Sequence, residues 1–60
     1  MKRQEFIREI VNAGCYLKRH GSNHDIYVNP KNGKKAPVPR HQVIKDSLCK
    51  LISRQLGIEK

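Results

Sequence analysis

The sequence predicts an α+β domain of two layers, with two helices packed on one face of a three-stranded antiparallel sheet. Three observations carry this. Apolar residues recur at helical spacing near each end of the chain, as Phe6, Ile10 and Ala13 in one run and Leu48, Leu51, Ile52 and Leu56 in the other. Between the runs lie short stretches of strand character, punctuated by turn residues. The length of 60 residues admits one domain at most, taken here as residues 1–60.

The first helix is predicted over residues 2–13. Ile7 and Val11 widen its apolar stripe, while Arg3, Glu5, Arg8 and Glu9 are placed on the polar side. Gly14 stands where a helix end accepts a left-handed residue. Residues 15–20, Cys-Tyr-Leu-Lys-Arg-His, read as a strand, and Gly21-Ser22 as the tight connection after it. Residues 24–29 alternate most cleanly. His24, Ile26 and Val28 share one face, and Asp25, Tyr27 and Asn29 share the other. This puts His24 at the end of an apolar face, half packed and half wet.

Asn29-Pro30-Lys31-Asn32-Gly33 is turn chemistry throughout. Residues 34–38 follow as a third strand, at an edge because Pro37 removes a ladder donor. Val38-Pro39-Arg40-His41 leads out of the sheet. The last helix is predicted over residues 46–56, with Asp46 as N-cap, Gly57 as terminator and Ile58 folded back on the last turn.

Thirteen Lys and Arg against five Asp and Glu give a net charge of +8, with pI near 10.0. Such a field attracts polyanions: nucleic acid, an anionic membrane surface or an acidic protein. The charges are interleaved with apolar residues at regular spacing, which points to a folded domain and away from a disordered basic tail. No apolar run approaches the ~20 residues that span a bilayer, and Met1-Lys2-Arg3-Gln4-Glu5 opens no signal peptide. The two cysteines, Cys15 and Cys49, lack zinc-ligand spacing and read as buried thiols of a cytoplasmic protein.

The densest polar chemistry is His20-Gly21-Ser22-Asn23-His24-Asp25. RNA is cleaved when its 2′-hydroxyl attacks the adjacent phosphorus. That reaction asks for a base, cations to hold the phosphorane charge, and an acid for the leaving oxygen. A histidine serves as base or acid near neutral pH. No metal is required on this route, and the chain carries neither an H-E-x-x-H motif nor a paired-acid motif. His24 is the candidate catalytic residue, although a histidine beside a Gly-Ser-Asn turn is more often without special function.

Gly21 reads as a glycine that lets the backbone approach a phosphate or that takes a positive φ. Ser22 reads as a phosphate donor or a turn cap, and Asn23 as a residue that orients His24 or steadies the turn. His20 reads as structural or RNA-contacting, and His41 as holding a local backbone hydrogen bond. Lys18, Arg19, Lys31, Lys34, Lys35 and Arg40 make a candidate phosphate track, though any one of them alone is ordinary solvated surface. Two tyrosines are too few for a stacking platform; one is expected beneath the sheet, and Tyr27 is a candidate for touching a base.

In this order, the residues resemble the HicA family of bacterial toxins. The resemblance runs through most of the chain. It is carried by the helix ending at Gly14 with Tyr16 just beyond, by Lys18-Arg19-His20-Gly21-Ser22-Asn23-His24, by Val38-Pro39-Arg40-His41, and by Ser47-Leu48 opening a helix that ends at Gly57. It implies a fold similar to the double-stranded-RNA-binding domain, α-β-β-β-α. It implies a ribosome-independent mRNA endonuclease whose essential residue corresponds to His24, without a cofactor. It also implies a cognate HicB-type antitoxin that covers that histidine, in a toxin–antitoxin complex of higher order. The site residues that go with this reading are Lys18, Arg19, Gly21, Ser22, Asn23, Lys34, Lys35 and Arg40 for RNA. Where the family often has two adjacent histidines, this chain has Asn23 before His24, so a role resting on adjacent imidazoles does not carry over.

Two other functions compete. A non-catalytic double-stranded-RNA-binding module would read phosphates and 2′-hydroxyls without needing a histidine at a strand start. A basic protein-interaction domain would bind an acidic partner and ignore RNA at moderate salt.

Overall fold

The computed structural model describes residues 1–58. Helix α1 spans Arg3–Asn12, strands β1 (Tyr16–His20), β2 (His24–Asn29) and β3 (Lys34–Pro39) follow, and helix α2 spans Asp46–Leu56. The sheet is antiparallel with β2 in the centre. Both helices lie on one face, because Phe6 and Ile10 of α1 and Cys49, Ile52 and Leu56 of α2 join Tyr27, Ala36 and Val38 of the sheet in a single core cluster. This is the α-β-β-β-α order that the sequence predicts, and the last helix has the predicted bounds.

Each helix ends as its glycine dictates. At α1, Gly14 takes φ 104°; Gly14 N–H donates to Val11 O and Cys15 N–H to Ile10 O. At α2, Gly57 takes φ 72°; Gly57 N–H donates to Arg54 O and Ile58 N–H to Ser53 O. Both are Schellman endings, which satisfy carbonyls that the helix leaves open. The β2–β3 turn serves α2 as well. Asn29 Nδ2 and Asn32 Nδ2 both donate to Leu56 O, at 2.8 and 3.1 Å. Asn29 is buried at 3% exposure, so its amide is paired where it must be.

Four sequence expectations are corrected. The apolar face of α2 is turned: Cys49, Ile52 and Leu56 are buried, whereas Leu48 and Leu51 remain 36% and 47% exposed. Residues 49, 52 and 56 repeat at i, i+3 and i+7, so Cys49 takes the place beside Ile52 that the leucines were expected to fill. Asp46 is the first helical residue; the N-cap is Lys45, and Asp46 Oδ1 instead accepts from the Met1 ammonium at 3.2 Å. Arg3 is not on the polar side of α1. It folds under the sheet end, where Nε donates to Pro39 O at 2.9 Å. Finally, Tyr27 is 7% exposed within the core and is shielded from any base, whereas Tyr16 is 54% exposed.

Residues 42–44, which the sequence left without a role, tie the N-terminal residues down. Arg3 N–H donates to Gln42 O and Ile44 N–H to Met1 O, both at 2.8 Å. Ile44 thereby plugs the core between the helices at 1% exposure. Cys15 and Cys49 are free, buried thiols, as expected; burial pushes both up from the usual thiol range.

Candidate active site

Strand parity decides what β2 offers to each side. Asp25, Tyr27 and Asn29 face the helices and are buried; His24, Ile26 and Val28 take the open side of the sheet, where His24 is exposed, Ile26 half-buried and Val28 covered to 7% exposure. His24 pairs with Pro39, Ile26 with Pro37 and Val28 with Lys35, so those β3 residues share the open face. On β1, Tyr16 lies opposite Val28 and Arg19 opposite Ile26, with the register slipping between Leu17 and Arg19. Lys18 occupies that bulge. The extra residue turns Lys18 and Arg19 to the same open side.

Lys18 and Lys35 sit against each other. The Lys18 ammonium holds Lys35 below the usual lysine range, with Arg19 adding to the repulsion. Among the described residues no carboxylate forms a salt bridge with either lysine. Cations held together in this way are relieved by an anion. Lys34 is one residue out of phase. It pairs with Asn29 on the helix side, where its stem approaches Gly57. The track predicted from sequence is therefore divided between the two faces.

The β1–β2 turn is closed by Gly21 N–H donating to His24 O at 2.6 Å. A Cβ on residue 21 would lie 2.7 Å from that oxygen, so glycine is needed for the turn itself. The alternative expectation of a positive φ at Gly21 is not met; Gly14, Gly33 and Gly57 are the glycines that adopt it.

Behind the turn, on the helix side, stands a charged hub that sequence reading missed. Asp25 is 8% exposed. Its Oδ2 accepts from Arg3 Nη2 at 2.7 Å. Its Oδ1 meets His20 Nδ1 at 2.8 Å and accepts from Arg40 Nε at 3.0 Å. An ionised carboxylate only accepts, so His20 carries its proton on Nδ1 in this contact. Arg40 Nη2 also donates to Gly21 O at 2.8 Å. The hub thus joins α1, the end of β1, the turn and the exit of β3. The His20 hydrogen bond, followed by Arg40, holds the Asp25 carboxyl below the usual carboxylate range, against burial, which acts the other way. A signal for this was present: a carboxylate in phase with buried Tyr27 and Asn29 must find cations or stay costly.

On the open side, Ser22, Asn23, His24, Arg40 and His41 line a cleft of ≈ 500 Å³. All five residues are exposed. Among the described residues, the side chains of Ser22, Asn23, His24 and His41 engage no protein partner, which leaves Arg40 as the anchored member. His24 is thus exposed outright, where the sequence placed it half packed. The local backbone hydrogen bond expected of His41 is not formed. His20, with its ring on Asp25, belongs to the opposite side from His24. The described residues hold no group of three or more His, Cys, Asp or Glu with the geometry to bind a metal ion.

A comparison with protein families matches the family described as the HicA toxin of bacterial toxin–antitoxin systems, over residues 3–58. The chain belongs to the HicA toxin family. Membership implies a toxin role and a cognate antitoxin. Comparisons with curated proteins and with solved structures gave no match. No helix among the described residues of this HicA protein is long and apolar enough to cross a membrane.

Proposed function

We propose that this HicA protein is the toxin of a type II toxin–antitoxin system and acts as a metal-independent endoribonuclease on mRNA in the cytoplasm. Cleavage inhibits translation and arrests growth until a HicB-type antitoxin covers the site. The observation that carries this reading is the unengaged imidazole of His24 at the mouth of a cleft shared with the Arg40 guanidinium. His24 exchanges the proton of the 2′-hydroxyl attack, and Arg40 faces the charge that develops on phosphorus. Ser22 and Asn23 have hydrogen-bonding capacity to spare for phosphate oxygens. Lys18, Arg19 and Lys35 extend the positive field along the same face. Lys35 lies opposite Val28, four residues along β2 from His24 and therefore about 13 Å away. An RNA strand crossing the open face meets the cation pair and the histidine together.

A basic surface at +8 also gives an acidic antitoxin fast electrostatic association. The antitoxin neutralises the toxin by occupying the cleft.

The test is cleavage of RNA by purified protein in EDTA, compared with His24→Ala. Wild type is expected to cleave, with the variant slowed by about 10²–10⁴-fold, and only wild type is expected to arrest growth. Products should end in a 2′,3′-cyclic phosphate and a 5′-hydroxyl; a 5′-phosphate would exclude attack by the 2′-hydroxyl. Salt-sensitive RNA binding that survives His24→Ala, without any cleavage, would replace this reading with a non-catalytic RNA-binding module.

A further inference from the structure

In-line cleavage by a 2′-hydroxyl needs two proton transfers at opposite ends of one phosphorus. The 2′-oxygen loses a proton as the O2′–P bond forms. The 5′-oxygen gains one as the P–O5′ bond breaks. A single histidine handles both only if water or the RNA itself supplies the second transfer. The cleft offers another group. Its lining holds two imidazoles, His24 and His41, together with Ser22, Asn23 and Arg40. Neither the serine hydroxyl, the amide nor the guanidinium titrates near neutral pH, whereas imidazole has a reference value of about 6.5. His20, the third histidine, is committed to Asp25 on the other side.

His41 lies two residues beyond the end of the β2–β3 ladder. In that ladder, His24 lies opposite Pro39 and Asp25 opposite Val38. Arg40, between Pro39 and His41, lines the cleft and anchors on Asp25. This anchor fixes the chain on either side of the cleft, since the same guanidinium holds Gly21 O on the turn and is the residue adjoining His41.

We propose that His24 and His41 act as an acid–base pair on one phosphodiester, one taking the 2′-hydroxyl proton and the other delivering a proton to the 5′-oxygen. The inference rests on the ribonuclease reading of the cleft and adds a second catalytic residue to it. The balance closes without a co-reactant. The O2′–P bond forms, the P–O5′ bond breaks, and one proton leaves the 2′-oxygen while one joins the 5′-oxygen. The products are a 2′,3′-cyclic phosphate and a 5′-alcohol. Exchange with water returns the two rings to their starting protonation states.

The deciding experiment uses an RNA oligonucleotide carrying a cut site mapped for the wild-type protein. It is made in two forms, with oxygen or with sulfur at the bridging 5′ position. A thiol ionises near 8.5, so a thiolate leaves without an acid. His24→Ala, His41→Ala and His41→Gln are compared in single-turnover cleavage, with thermal melts confirming that each is folded. On the oxygen substrate, all three are expected to fall by about 10²–10⁴-fold. On the sulfur substrate, the variants of one histidine should recover close to the wild-type rate while those of the other stay slow. The histidine whose variants recover is the acid. Folded His41 variants with wild-type rates on the oxygen substrate would overturn the pair while leaving His24 as a single catalytic residue. So would His41 variants that are slow when neither they nor His24→Ala recovers on sulfur. If the wild-type protein cuts no RNA in EDTA, so that no cut site can be mapped, the ribonuclease reading itself is overturned, and the pair with it.

Discussion

Replacing Gly21 with alanine separates two reasons for a glycine before the histidine proposed to be catalytic. One is room for a phosphate; the other is room for the turn. The structure favours the turn, because a Cβ at position 21 would lie 2.7 Å from His24 O, and real Cβ contacts essentially never fall below 3.0 Å. The obstacle is backbone, so no rotamer change removes it. The hairpin must open by a few tenths of an ångström, stretching the 2.6 Å Gly21–His24 hydrogen bond. Overpacking of this kind costs about 1–3 kcal/mol. Against it stands the ~0.4–1 kcal/mol that Gly→Ala contributes by stiffening the unfolded chain. At the midpoints of these ranges the net loss is about 1.3 kcal/mol, which lowers Tm by roughly 5–10 °C in a domain of this size. The displaced residue is His24, whose ring is proposed to be catalytic, and a misplacement of about 1 Å can slow catalysis by about 10²-fold. Gly21→Ala should therefore lose both Tm in a circular-dichroism melt and rate in single-turnover RNA cleavage. An unchanged Tm with a raised KM would refute the turn argument and return the glycine to the phosphate. An unchanged Tm with unchanged kinetics would refute both.

Asp25→Asn removes the charge that gathers Arg3, His20 and Arg40, and should lower both Tm and cleavage rate at pH 7. The folded carboxyl titrates below its ordinary value of 3.8, so its contribution is present above that pH and is lost as pH falls through the lower folded value; melting curves of wild type and Asp25→Asn should converge on acidification, and a gap that persists in acid would refute the linkage. Lys18→Ala and Lys35→Ala, on the open face, should each flatten the slope of log K against log salt for single-stranded RNA by about 0.7, whereas Lys34→Ala, on the helix side, should leave it nearly unchanged. Ile52→Ala, at 1% exposure, should cost about 2–5 kcal/mol in urea unfolding, while Leu51→Ala, at 47%, should stay within about 0.5 kcal/mol.

The parts of the fold legible in the sequence were those set by local chemistry. Gly14 and Gly57 announce helix ends because a left-handed residue is needed where the carbonyls run out. The Asn29–Gly33 segment announces a turn because it concentrates residues that bend the chain. The alternation in residues 24–29 announces β2 and puts His24 and Asp25 on opposite sides. Details that depend on docking were not legible. Leu48 and Leu51 fit an apolar stripe as well as Cys49 does, and only the packing of α2 beside Ile44 decides which is covered. Arg3 looks like a solvated helix residue until the end of β3 is brought within reach. His41 looks like a linker histidine for a similar reason, since only the folded chain brings it to the cleft that His24 lines.

Adjacent residues on β2 do opposite jobs, and the pleat makes that division possible. Asp25 points to the core side and is saturated by cations, so it adds no free negative charge to the face proposed to meet a phosphate. His24 points the other way, unengaged. A carboxylate in place of Ile26, two residues from His24, would reverse this electrostatics by standing on the open face itself. The basic charge of the chain is therefore not simply a surplus spread over the surface. Two of its arginines are spent on Asp25, and Arg40 serves both sides at once, bonded to the hub by its guanidinium while lining the cleft. Loss of Arg40 should consequently damage the site more than loss of Lys18 or Lys35, because it removes a cation from the cleft and loosens the turn that carries His24.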